Sequence, residues 1–143
     1  MRLCISILLC GLCLAGCAGR SDDARIKAAI EAMRVAVQEH RPRDFMANVS
    51  DDFAGNEGSV DHAALFNLLR VQALRNDHIG ILLGPISIDW QGDRATTHFT
   101  AAIAGGNSAV LPEHAEVYAI TAAWKKNGSS WRCYNATWSS DSR

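Results

Sequence analysis

EHAEVYAITAAWKKNGSSWRCYNATWS, residues 113–139, consists of two alternating runs joined at Asn127-Gly128. Successive side chains of a strand point to opposite faces, so each run sorts into two sets. Tyr118, Ile120, Ala122 and Trp124 share one face of the run from Glu113 to Lys126. Tyr134, Ala136 and Trp138 share one face of the run from Ser130 to Ser139. Asn-Gly is a strong hairpin signal, because both of its residues tolerate positive φ. The bulky faces are expected to point inward, and the flat face Val117, Ala119, Thr121 and Ala123 outward. The period of two continues upstream. Ile79 to Trp90 reads as a strand interrupted at Gly84-Pro85, since Pro cannot continue a central ladder. Gln91-Gly92-Asp93 reads as a turn, Arg94 to Ala104 as a strand, and Gly105 to Pro112 as a loop.

The first half has a helical period instead. Ile26, Ile30, Met33 and Val37 recur at three- and four-residue spacing behind Asp22-Asp23, which predicts a helix to about His40. Pro42 breaks it and can open a second, short helix over Arg43 to Ser50, ended by Asp51-Asp52-Phe53. Gly55 to Gly58 reads as a loop. Ser59 or Asp61 caps a third helix through Leu65, Phe66, Leu69 and Leu74, closed by Asn76-Asp77. Helices followed by antiparallel strands predict an α+β fold, with a strongly bent sheet packed around the N-terminal helices.

The N-terminus is read separately. Arg2 and an apolar run from Leu3 to Leu14 lead into Leu14-Ala15-Gly16-Cys17, the order of a secretory signal. The run is shorter than the roughly 20 residues needed to span a bilayer. The tetrapeptide resembles a bacterial lipobox, which implies lipidation of Cys17 and cleavage before it. The expected organisation is a signal peptide at 1–16, the lipidated cysteine and a short linker at 17–23, one domain at 24–139 and a tail at 140–143. Ala18 after the cysteine implies the outer membrane, facing the periplasm. Acyl chains on Cys17 would make the membrane a partner, at about 0.8 kcal/mol per buried CH₂.

Cleavage removes Cys4, Cys10 and Cys13, so Cys133 would be the remaining thiol, with no disulfide and no cysteine zinc site. No two histidines stand at i, i+2 or i, i+4, and no metal is expected. Fourteen basic against fifteen acidic residues, with no long basic cluster, argue against nucleic acid. His98, between Thr97 and Phe99, is the one histidine in a position typical of a site.

The element order resembles the nuclear transport factor 2-like superfamily over residues 22–139. Asp51-Asp52-Phe53, Trp124-Lys125-Lys126-Asn127-Gly128 and Asn135-Ala136-Thr137-Trp138 carry the resemblance. The superfamily includes ketosteroid isomerases and SnoaL-like cyclases. It implies a cone-like sheet with a pocket at its open end and an outer face that often forms a dimer. The isomerase roles would fall near Glu57, Ile120 and Ala36, and only Glu57 has a suitable group. No catalytic residue is therefore assigned. The expected pocket residues are Glu57 at the rim with Tyr118, Trp124, Tyr134 and Trp138, which otherwise fill a core. The expectation is a lipid-anchored binding or accessory domain for a small apolar ligand or an envelope partner, using no cofactor. A cofactor-free isomerase, cyclase or hydrolase, and a structural lipoprotein using the outer sheet face, are the alternatives.

Overall fold

The computed structural model describes residues 18–107 and 112–140, with side chains from 22 onward. The signal segment and Cys17 lie outside the described residues. Helix α1 (Ala18–Gln38) is followed by α2 (Pro42–Met46), strands β1 (Val49–Gly55) and β2 (Val60–Asp61), and α3 (His62–Arg75). Strands β3 (His78–Leu83), β4 (Ser87–Gln91), β5 (Arg94–Gly106), β6 (His114–Asn127) and β7 (Ser130–Ser140) complete the chain.

Together the strands form one sheet in the order β2-β1-β7-β6-β5-β3, with β4 also paired to β5. The pairs are antiparallel except β1 with β7. β3 and β4 share one edge of β5 and are split at Gly84-Pro85, as the sequence predicts. Gly84 donates its N–H to the Thr100 carbonyl at 2.9 Å. A Cβ there would stand 2.3 Å from the Thr100 hydroxyl oxygen, so any side chain would have to displace that hydroxyl.

The bent sheet wraps α1, whose Ile26, Ile30 and Ala36 are buried. Asp61 caps α3, accepting the Ala64 N–H at 2.7 Å. At the hairpin end, Trp131 donates to the Asp22 carboxylate at 3.1 Å and Trp90 to Asp23 at 2.9 Å. The two indoles meet edge to face, 5.4 Å apart. Lys126 adds an ion pair to Asp22 at 3.2 Å. The sequence reads Asp22-Asp23 as the start of this helix. Both lie within α1 and tie it to the sheet, Asp22 supplying the acceptor that the buried Trp131 indole needs.

The expected helix over Arg43 to Ser50 stops at Met46, and Asp51-Asp52-Phe53 belongs to β1. Val49, Phe53 and Gly55 of β1 are buried. Its partner β7 lies some eighty residues downstream, and pairing with that free edge satisfies backbone groups that a five-residue helix leaves open. The turn after β1 places Asn56, Glu57 and Gly58 at φ of 44°, 61° and 87°.

Two outcomes test this packing. A Cβ on Gly55 would lie 2.9 Å from two ring carbons of Trp138 and 3.0 Å from the Phe53 ring. Gly55→Ala is expected to lower stability by about 1–3 kcal/mol in chemical denaturation. Asp22 is held below its ordinary 3.8, first by the Trp131 indole and then by Lys126. A depressed carboxylate stabilises the fold above its unfolded value, and this contribution is lost as pH falls through the folded one. Asp22→Asn should therefore show a shallower fall of Tm below pH 3.8 than the parent.

Candidate functional site

The inner face of the sheet is graded in size. Trp124 and Trp131 stand at the hairpin end, sealed against Ile26, Ala95 and Val49. Further along are Ala122, Ala101 and Ala136, which leave space between sheet and helices. That space is a cavity of about 290 Å³. Ile30, Met33 and Val37 of α1 and Leu65 and Leu69 of α3 wall one side. Phe99, Ile120, Trp124, Cys133 and Trp138 of the sheet wall the other.

Polar groups deep in the cavity are satisfied by the protein. The Trp124 indole donates to the Thr97 hydroxyl at 3.0 Å, and Thr97 donates to the Ala122 carbonyl at 3.3 Å. The Cys133 thiol donates to the Asn135 carbonyl at 3.3 Å. Burial pushes that thiol up to about 12, so it is not a nucleophile at neutral pH. Gln72 of α3, Asn76 capping its C-terminus and His114 of β6 supply polar groups to the lining, and the Arg34 stem adds to it. The Arg34 guanidinium itself is turned to Glu31 and Gln38 on α1.

The structure brings Trp124 and Trp138 together in the cavity wall and places the other expected pocket residues elsewhere. Tyr118 shares their face but lies outside the lining, its hydroxyl donating to the Glu116 carboxylate at 2.6 Å. Glu57 is exposed on the left-handed turn after β1, outside the lining. Tyr134 corrects the facing read from alternation. Trp124 pairs with Cys133 but Ala123 with Asn135, so Tyr134 is the extra residue of a β-bulge. The parity of β7 slips there, and Trp131 and Cys133 turn inward in its place. Tyr134 instead lies beneath cations of the outer surface, 4.9 Å from Arg94 and 5.5 Å from Lys125. His98 is also on the outer surface, 3.1 Å from the Thr121 hydroxyl and 3.3 Å from Asp89.

His114 is the one histidine of the cavity lining, and alternation alone gave it no role beyond the start of a strand. A Cβ added to Gly105 would meet Asn76 Oδ1 at 2.8 Å and His114 Nε2 at 2.9 Å. The signal that could have found it is the glycine opposite it in the β5–β6 register. On the outer face, Leu82, Ala102 and Val117 form a cross-strand row in which Leu82 is 77% and Val117 46% exposed. Among the described residues, no cluster of three metal-ligating side chains is present.

No family model matches this sequence, and no curated protein matches it. Solved structures do match in shape. A nuclear transport factor 2-like superfamily protein from Salmonella enterica has a TM-score of 0.75 at 13% identity, covering 88% of this chain and 95% of its own. A hexachlorocyclohexane dehydrochlorinase from Novosphingobium barchaimii has a TM-score of 0.72 at 10% identity, covering 86% and 88%. Bd1075 of Bdellovibrio bacteriovorus has a TM-score of 0.70 at 13% identity. There the match covers 85% of this chain but only 41% of the longer one. The chain thus has the cone-like α+β fold of the nuclear transport factor 2-like proteins, and identities this low establish the fold alone.

Thr97 offers a test of the satisfied floor. Thr97→Val keeps the shape but strands the Trp124 indole N–H without its acceptor. The expected loss is about 1–3 kcal/mol of stability, read by chemical denaturation followed by tryptophan fluorescence.

Proposed function

We propose that this protein is a lipid-anchored domain, outer-membrane bound and facing the periplasm, that holds a small apolar ligand inside its cone. The observation that carries the ligand is the cavity of about 290 Å³, walled by hydrocarbon, with its deep polar groups already paired. Support for the anchor is the sequence Leu14-Ala15-Gly16-Cys17 behind an apolar run. Ligand exchange needs no cofactor.

A cofactor-free enzyme is the second reading, and His114 favours it as an imidazole at the cavity lining. The dehydrochlorinase of the same fold shows that such cones also house chemistry. Envelope partners or a second copy would use the outer row of Leu82, Ala102 and Val117.

Native mass spectrometry of the protein purified from its own host tests the first reading. A mass above that of the lipidated chain, lost on denaturation, is the expected result. A bare chain that takes up nothing from envelope extract would count against a ligand. The intact mass also tests the anchor, since an unmodified chain starting at Met1 is incompatible with lipidation of Cys17.

A further inference from the structure

We infer that the ligand is a hydrocarbon body bearing one hydroxyl group at its outer end, and that Asn76 and His114 receive that hydroxyl. This rests on the cavity being a ligand site. Its floor offers a ligand no hydrogen bond, because the Trp124 indole, the Thr97 hydroxyl and the Cys133 thiol are spent on the protein. A polar group carried to that depth would be desolvated without compensation. The deep end therefore selects hydrocarbon, and any polar group of the ligand must sit where the lining is polar.

That place is the surface over Gly105. Asn76 is buried and held from three directions. Its backbone N–H donates to the Gln72 carbonyl at 3.2 Å, and its carbonyl oxygen meets His40 Nε2 at 2.9 Å. Its Nδ2 donates to the Gln72 carbonyl at 3.0 Å and to Gln72 Oε1 at 3.2 Å. A backbone carbonyl only accepts, so the amide orientation is fixed and Oδ1 is the face turned to Gly105. His114 Nε2 comes from β6 to the same side of Gly105, 2.9 Å from where a Cβ would stand, so the two atoms flank the space over the glycine. Both residues line the cavity, and His114 is exposed enough to be reached from solvent.

One atom accepts and the other donates when its ring carries the Nε2 proton. A hydroxyl satisfies both at once, giving its proton to Asn76 Oδ1 and accepting from His114. A carboxylate would face the Asn76 oxygen with no proton to give. Size narrows the body. The cavity is about twice the engineered cavity of about 150 Å³ that binds benzene, which suits two fused rings or a chain of similar bulk.

The test compares 2-naphthol with 2-methylnaphthalene, near-isosteres that differ in hydroxyl against methyl, by equilibrium dialysis against the purified protein. Hydrophobic transfer alone favours the methyl compound. The expected result is that 2-naphthol binds at least about tenfold more tightly. His114→Ala should abolish that preference, and His114→Gln should restore part of it. Equal binding of the two probes, or a preference that survives His114→Ala, would overturn the inference and leave the cavity reading standing. Failure of both probes to bind would overturn the cavity reading and the inference with it.

Discussion

Trp124 sets the depth of the cavity and thereby the character of the molecule. Its indole is almost fully buried, and an indole N–H in that position requires an acceptor. Thr97, diagonally across on β5, supplies it and donates its own hydroxyl proton to the carbonyl of Ala122, its direct partner in the register. This chain of bonds fixes the ring across the concave face, where Trp131 and Ile26 complete a solid end to the cone. Beyond it the inner face turns to alanine, and α1 and α3 rest on the sheet's larger side chains rather than on its floor. The cavity therefore follows from a gradient in side-chain volume along three strands.

The same arrangement bears on chemistry. A general base for neutral pH needs a carboxylate raised by burial or a ring held near its working range. Among the described residues, the carboxylates with a clear shift move the other way. Asp22, Glu31, Asp52 and Glu116 are all lowered by partners that stabilise the anion. Asp52 reaches about 2 through Lys125 and Ser50, which ties β1 to β6 from the outer surface. These groups serve the fold. The interior thiol is silenced by burial, which leaves His114 as the histidine in the lining.

Much of the fold was legible because its signals are local. Asp61 as a cap, the break at Gly84-Pro85 and the turn at Asn127-Gly128 each depend on residues within a few positions. β1 was not legible, since its pairing partner is remote and Pro42 opens a helix immediately before it. Nor was the bulge at Tyr134. No glycine or proline marks it, and one extra residue reverses every facing on its N-terminal side. Trp138, beyond the bulge, kept the facing that alternation assigns, whereas Tyr134 did not. Asn76 and His114 are separated in sequence by three strands and approach the same side of Gly105, which has no side chain to keep them off.

Helix α1 links the two ends of this design. Asp22, in its second turn, is bonded to Trp131 and Lys126 at the sealed end, while His40, just past its last turn, reaches Asn76 beside Gly105. A helix of 21 residues is about 31 Å long. The N-terminal end of α1 therefore lies at the sealed end, and the polar part of the cavity lies at the far end of the helix. With Cys17 held in a bilayer, as proposed, the sealed end is nearest the lipid. A hydroxylated apolar ligand would then exchange with the aqueous side, or with a partner presenting it there.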